Sequence, residues 1–248
     1  MTFQFSTEKE QYVNNMFARI AHRYDVMNRI MTAGQDRRWR KLLIQQAQLP
    51  PNGNLLDIAT GTGDIAFEAL RQQPHLNHVV GADFTLPMMR VGQQRWARAN
   101  EPSASAGGQD VAARLGWSGA DTLHLPFPDN SFDAVTSGFL MRNVTSVSQA
   151  LREQVRVCKP GGRVLILEIP RPPDNFFGSL FRLYFHNVVP ILGGIISGQR
   201  DAYTYLPASA EAFLRPDELE AEMKSAGLHD VKYQMLMLST VALHVGIK

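Results

Sequence analysis

Gly61, Gly63 and Ala66 stand in a Gly-x-Gly-x-x-Ala spacing directly after the apolar run Leu55-Leu56-Asp57-Ile58-Ala59. A strand that enters such a turn and leaves it as a helix lets the backbone approach a nucleotide-like ligand closely. Ordinary βα turns also use glycine, so the loop alone leaves ligand binding and plain chain reversal both open. Asp83 follows the next apolar run, twenty residues beyond Gly63. A carboxylate there can accept hydrogen bonds from both hydroxyls of an adenosine ribose, or it can cap the following helix. Asp57, inside the strand, and Asp64, after the glycines, disfavour a pyrophosphate, which seeks bare N–H groups at a helix N-terminus. They suit the ammonium and sulfonium of S-adenosylmethionine, although Asp64 also stands where an ordinary first-turn helix acid would. A dinucleotide dehydrogenase is the rival with the same loop.

These residues need a scaffold that brings strand ends together. Residues 52–170 alternate short apolar runs with helical patterns, the runs being 55–59, 79–82, 132–136 and 163–167. Short unbroken apolar strands separated by helices predict a parallel sheet covered on both faces. Asp121 then falls at the end of a third strand, where its side chain could reach an adenine amino group. Lys159-Pro160-Gly161-Gly162 turns a helix into the fifth strand. Residues 1–50 read as helices, one capped by Ser6-Thr7-Glu8 and one running from Asp36 to Gln48 ahead of Pro50-Pro51. Residues 171–215 form an aromatic-rich lid or substrate segment. Residues 216–248 hold a helix from Asp217 to Ala226, stopped by Gly227, and two closing strands. The stretch from Glu101 to Gly119 breaks the pattern, with Pro102 to Gly108 reading as a surface loop.

Composition narrows the function classes. The 248 residues are 44% hydrophobic and 19% charged, enough for a sizeable core. Lys+Arg is 25 against Asp+Glu 23, a balance that does not point to nucleic acid. The single cysteine, Cys158, excludes an internal disulfide framework and a cysteine metal cluster and reads as structural. The seven histidines show no paired metal-ligand spacing. No charge-free apolar stretch approaches the length of a membrane span; the nearest, Phe176 to Ile196, carries Arg182, His186, Asn187 and Pro190. The expectation is a cytoplasmic protein, at most peripheral at the inner face of a membrane.

Longer motifs sharpen this. They include Tyr24-Asp25-Val26-Met27-Asn28, Gly34 through Arg40, Asp57 through Asp64, Leu125 through Asn130 and Arg142-Asn143-Val144-Thr145. Arg156 through Gly162, Leu167-Glu168, Tyr203-x-Tyr205-Leu206 and the ending Val241 to Lys248 complete the set. With these motifs the chain resembles the class I S-adenosylmethionine-dependent methyltransferases and, more closely, the ubiquinone/menaquinone biosynthesis C-methyltransferase family. The resemblance implies one α/β domain over residues 1–248: a doubly wound, Rossmann-like seven-stranded sheet with its last strand antiparallel, N-terminal helices and an inserted helical lid. It implies S-adenosylmethionine as cofactor, held around Asp57, Gly61, Thr62, Gly63, Asp83, Asp121, Thr122 and Gly138. The implied reaction is carbon methylation of a polyprenylated quinol, demethylmenaquinol first. A ubiquinone precursor or another phenolic or lipid substrate is the alternative, and a cofactor-binding subunit of a quinone-synthesis assembly is the non-enzyme one. The chain departs from the family in carrying Asp121-Thr122 for Asn-Ala, Gly138 for serine and Asp36 for histidine. It also has Leu140-Met141 for Gly-Leu, a change that points to an altered substrate pocket.

Methylating a ring carbon needs an electron-rich ring held in line with the methyl group and a group that stabilises the quinol oxyanion. Arg142, following the fourth strand, keeps its charge and suits an oxyanion better than a proton; the alternative is a surface arginine. Asn143 could position the ring or a water, or cap a helix. Tyr24, His186 and Tyr205 are candidate substrate-binding residues, His244 is a further candidate base, and Glu168 is a weaker acid/base candidate. The aromatic segment 176–196 reads as a buried helix or as a lid that accepts a prenyl tail and touches a bilayer. A homodimer is compatible with the sequence.

Overall fold

A computed structural model describes residues 6–100 and 113–248. The five N-terminal strands are β1 (Asn54–Ile58), β2 (His78–Asp83), β3 (Leu115–Gly119), β4 (Phe132–Gly138) and β5 (Cys158–Glu168), followed by β6 (His229–Leu236) and β7 (Val241–Ile247). They form one sheet in the order β3-β2-β1-β4-β5-β7-β6. Strands β1 to β5 run parallel, and β7 lies antiparallel to both β5 and β6. This is the expected doubly wound, seven-stranded sheet. The strand order reverses between β1 and β4, which opens a crevice at their carboxyl ends.

Adjacent residues on one strand show why both faces are covered. Leu55, Ala134 and Leu165 pack into an apolar cluster under α3 (Asp36–Ala47) and α4 (Asp64–Gln72). Their neighbours Leu56, Val135 and Val164 pack into a second cluster under α6 (Val147–Val157) and α10 (Pro216–Ser225). Successive strand side chains point to opposite faces, so runs such as Leu55-Leu56 are apolar throughout because neither face meets water.

Helix boundaries follow local chemistry. Gln48, at φ 45°, ends α3, and Gly227, at φ 101°, stops α10 where a side chain would be strained. Glu218 accepts the Arg215 N–H at 2.7 Å and closes the first turn of α10. The first helix, α1 (Ser6–Ile20), continues through a 3₁₀ turn into α2 (Tyr24–Met31); that break was not expected. The interruption expected up to Gly119 is corrected at Leu115–Gly119, which forms the edge strand β3. Glycines hide the strand pattern there: a Cβ on Gly116 would sit 3.0 Å from the His78 ring. The expected loop from Pro102 to Gly108 lies outside the described residues.

The lid comprises α7 (Phe176–Leu183), a π-helical turn Tyr184–Val188, α8 (Val189–Ser197) and α9 (Arg200–Glu211). Its inner residues Phe185, Val189, Ala202 and Tyr203 pack with Met16, Ile20 and Met27 from the N-terminal helices into a third cluster. The sheet's crevice is therefore roofed by two segments far apart in sequence. The lid contains one long apolar run, which carries Arg182 and so is not charge-free. Gly178–Ile196 forms 19 continuous helical residues that are long and apolar enough, by length and composition, to cross a membrane.

Candidate functional site

Two cavities flank the crevice. The first, with about 900 Å³ of empty volume to its open mouth, lies over the carboxyl ends of β1, β2 and β4. Gly61, Asp83, Thr85, Asp121, Thr122 and Gly138 line it. The second, of about 930 Å³, lies between the N-terminal helices and the lid and is largely apolar and aromatic. Phe17, Tyr24, Phe139 and Asn143 border both. Phe139 and Ala59 adopt positive φ, 59° and 53°, at the ends of β4 and β1. Such conformations are costly for side-chain-bearing residues and gather at binding sites.

Asp83 ends β2, and both its carboxylate oxygens face backbone donors. Gly61 N–H donates at 2.7 Å and Thr85 N–H at 2.6 Å. The residue thus tethers the glycine loop and the turn at Thr85 that leads into α5 (Leu86–Ala99), while each oxygen retains a lone pair for a ribose hydroxyl. Burial pushes its carboxyl pKa up, and the N–H donors from Thr85 and Gly61 oppose that. Gly61 needs its φ of 57°, and a Cβ there would press on Met88. A Cβ at Gly138 would lie 2.8 Å from the tip of Ile65, so that side chain occupies the space a serine would use. Thr122 Oγ1 and Asn14 Oδ1, which line this cavity, are buried without a protein partner. Half-exposed Asp121 accepts the Leu123 N–H at 2.9 Å. Among the described residues the lining contains Glu10, Asp83 and Asp121 and no lysine, arginine or histidine. That electrostatic profile fits a cationic sulfonium nucleoside and disfavours a pyrophosphate.

Three residues expected at the cofactor stand behind the cavity wall. Asp57 is fully buried and accepts hydroxyl hydrogen bonds from Thr60 at 2.7 Å and Thr136 at 3.0 Å. Thr62 is 2% exposed and donates to Asp25 at 2.6 Å. Gly63, at φ 88°, starts α4, and a Cβ there would clash with Phe67 and Trp117. Asp64, read as a partner for the ammonium, is neutralised by Arg95 at 2.7 Å and Arg40 at 3.2 Å. Arg95 also holds Asp25 at 2.7 Å, so α2 is strapped to the glycine loop by an ion-pair chain that continues through Arg40 to Asp36. The motif around Tyr24-Asp25 carried a signal for this strap, whereas Arg95 lies in no motif.

Burial pushes the Asp57 carboxyl up to about 7, because the two threonine donors compensate only part of its lost hydration. The unfolded chain titrates near 3.9, so the folded state binds the proton more tightly. This contribution to stability is complete below about pH 4 and is lost as pH rises through about 7. Asp57→Asn should remove a component on the order of a few kcal/mol from the pH dependence across that window. Chemical denaturation of both proteins between pH 4 and 8 checks this; parallel stability profiles would show that Asp57 is charged throughout.

The second cavity has a polar floor. Arg142 is 7% exposed and pairs through Nη1 with Oε1 of Glu168, which is fully buried at the end of β5. Glu168 also accepts the Arg142 and Ile169 backbone N–H groups at 3.3 and 2.8 Å. Arg142 lines the cavity and lies over the Phe139 ring, and its Nε is buried without a protein partner. Asn143 donates to the Phe139 carbonyl at 2.9 Å and accepts the Tyr205 hydroxyl at 3.2 Å. Burial pushes the Tyr205 hydroxyl pKa up to about 12, which keeps it a donor. Burial likewise raises that of Tyr24, at the junction of the cavities. Helix α1 holds this floor: Lys9 donates to the Val144 carbonyl at 2.8 Å, and Glu10 accepts the Thr145 hydroxyl at 3.0 Å.

Other expectations for this cavity are corrected. His186 is exposed on the π turn beside buried Phe185, pairs with Glu211 at 2.8 Å and does not line the second cavity. His244 is fully buried, bonds the Pro216 carbonyl at 2.9 Å, has its pKa lowered by burial, and lines neither cavity. Met141 is fully buried in the core, and Leu140 borders only the first cavity, so this pair does not shape the second. Asn14, Asn28 and Arg40, which sequence reading did not single out as site residues, line the cavities.

A parallel sheet with an antiparallel closing strand and an acid-lined nucleoside crevice at its switch point defines a class I S-adenosylmethionine-dependent methyltransferase. Solved structures share the fold. A Haloferax volcanii methyltransferase, solved with its Trm112 activator, superposes with a TM-score of 0.63 at 18% identity, covering 93% of this chain and 96% of that one. Haemonchus contortus phosphoethanolamine N-methyltransferase 2, solved with S-adenosyl-L-methionine, gives 0.58 at 16% identity over 85% and 52%. Residues 5–248 match the ubiE/COQ5 methyltransferase family, and the chain belongs to that family. It is 44% identical over 241 residues to a Roseiflexus castenholzii protein named demethylmenaquinone methyltransferase, covering 97% of this chain and 95% of the relative. It is 44% identical over 231 residues to a Thermus thermophilus protein of the same name, over 93% and 99%. A Geotalea daltonii ubiquinone/menaquinone biosynthesis C-methyltransferase UbiE is 38% identical, over 98% of each chain. The chain is accordingly an S-adenosylmethionine-dependent methyltransferase.

Proposed function

We propose that this enzyme methylates a ring carbon of a polyprenylated quinol, converting demethylmenaquinol to menaquinol. The observation that carries the reading is the pair of cavities meeting at Phe17, Tyr24, Phe139 and Asn143, one lined by acids and the other by aromatic and aliphatic groups. When bound in the first, S-adenosylmethionine supplies a methyl group on a positively charged sulfur. The second offers stacking surfaces for a fused ring and apolar space for the start of a prenyl tail. Arg142 would donate to the quinol oxygen and stabilise the negative charge that drives electron density onto the neighbouring ring carbon. Glu168 fixes the direction of that guanidinium, and Tyr205 fixes the Asn143 amide beside it. Phe17, Tyr24 and Phe139 exclude water from the transfer path.

Only the reduced ring is nucleophilic enough, so turnover should require quinol. Mass spectrometry of products from labelled S-adenosylmethionine, with reduced demethylmenaquinone and a reduced ubiquinone precursor side by side, tests both substrate and redox state. Menaquinol carrying the labelled methyl group is expected as the main product. Equal initial rates with strictly oxidised substrate, or turnover of non-quinone phenols alone, would overturn the proposal.

A further inference from the structure

The lid helices are apolar on two sides, and the protein covers one. Phe181, Phe185 and Val189 point into the third cluster. On the other side Leu180, Leu183, Ile191 and Ile195 are 53%, 61%, 54% and 77% exposed. Their spacing of three, eight and four residues keeps them near one stripe of the helical run. A helix apolar all round is normally buried on all sides, so this stripe calls for an apolar partner. Helix α2 packs beside α8 and extends the surface with Val26 and Ile30, 51% and 45% exposed.

Charge identifies the partner. Arg23, at the end of the 3₁₀ turn that leads into α2, is followed at helical spacing by Val26 and Ile30 on that helix, with Arg29 next to Ile30, and both arginines are exposed. Neither takes part in an ion pair within the described residues. An apolar stripe bordered by uncompensated arginines matches the acyl region and anionic headgroups of a lipid bilayer. The inner faces of the same elements, at Met31, Phe181 and Tyr184, line the second cavity. We infer that the outer face of α7–α8 with α2 seats the enzyme on an anionic bilayer, so that an apolar substrate passes from the lipid into the cavity beneath the lid. This deepens the proposed function and rests on it for the apolar character of the substrate.

Vesicle co-sedimentation of the full chain, without quinol, tests the surface independently of turnover. The protein should bind mixed phosphatidylcholine–phosphatidylglycerol vesicles more tightly than phosphatidylcholine alone, and added salt should shrink the difference. Arg23→Gln with Arg29→Gln should weaken binding to the anionic vesicles by about fivefold per residue. The triple variant Leu183→Asp, Ile191→Asp, Ile195→Asp should weaken binding to both vesicle types by about tenfold or more. Calorimetric affinity for S-adenosylmethionine should stay at the wild-type value and so report an intact fold. Failure of the wild type to sediment, or equal binding by the triple variant, overturns the inference. So does a dimer in analytical ultracentrifugation that the triple variant abolishes while vesicle binding persists, since a second copy would then cover the stripe. Vesicle binding as expected, together with no methylation of demethylmenaquinol, would keep the surface and remove the substrate reading.

Discussion

Arg142→Ala should lower kcat by roughly two to three decades, the scale of losing one preorganised oxyanion donor. It should also lower stability by about 3–5 kcal/mol, because fully buried Glu168 would be left charged without its partner. The two effects need separating. The double variant Arg142→Met, Glu168→Gln removes both charges, and the introduced amide oxygen can still accept the closer of the two backbone N–H groups, that of Ile169, while the Arg142 N–H, which donates to the other carboxylate oxygen, loses its acceptor. Part of the stability should return, while kcat stays low. Arg142→Lys should keep the pairing charge but recover only part of the rate, since an ammonium cannot reproduce the planar fork. Measuring kcat and thermal stability on the same preparations decides the matter. A double variant with near-wild-type kcat would show that Arg142 only braces the loop after β4.

Asp83→Ala should weaken S-adenosylmethionine binding by about one to two decades, the value of roughly 1.5–3 kcal/mol for hydrogen bonds to a charged group. The melting temperature should fall as well, because the Gly61 and Thr85 N–H groups lose their acceptor. Calorimetry on variant protein whose circular dichroism is native isolates the binding effect. Unchanged affinity would remove the ribose assignment and leave Asp83 as a tether of the glycine loop and the Thr85 turn. NADH bound as tightly as S-adenosylmethionine would revive a dinucleotide site, against the cation-free lining of the first cavity among the described residues.

Much of the sheet was legible because the strands at its centre have no polar face. Leu55-Leu56, Val79-Val80 and Val164-Leu165-Ile166-Leu167 are apolar in succession, and only burial on both sides explains such runs. The loop at Gly61 and the acid at Asp83 were legible for a related reason: tight turns and strand-end carboxylates act through backbone geometry that nearby residues set. Strand β3 was legible only as a third strand expected to end at Asp121; it runs over Leu115–Gly119, because Gly116 and Gly119 blur its pattern and its support comes from β2 at the sheet edge.

Residue types and spacing alone established a glycine turn followed by a strand-end acid and an aromatic segment, and the longer motifs pointed to a methyltransferase through their resemblance to a known family. Tertiary structure decided which of those residues face the ligand cavities. Asp57, Thr62 and Gly63 share one loop sequence with Gly61, yet the chain turns them away toward Thr136, Asp25 and Phe67. Arg142 and Glu168 lie 26 residues apart and meet because β4 and β5 are neighbours. The second cavity exists only where α1 and α2 close against a lid from the far half of the chain. Side-chain chemistry is local and can be read in order along the chain. A pocket is an enclosed volume between distant segments, and its inner and outer faces are assigned only when those segments pack.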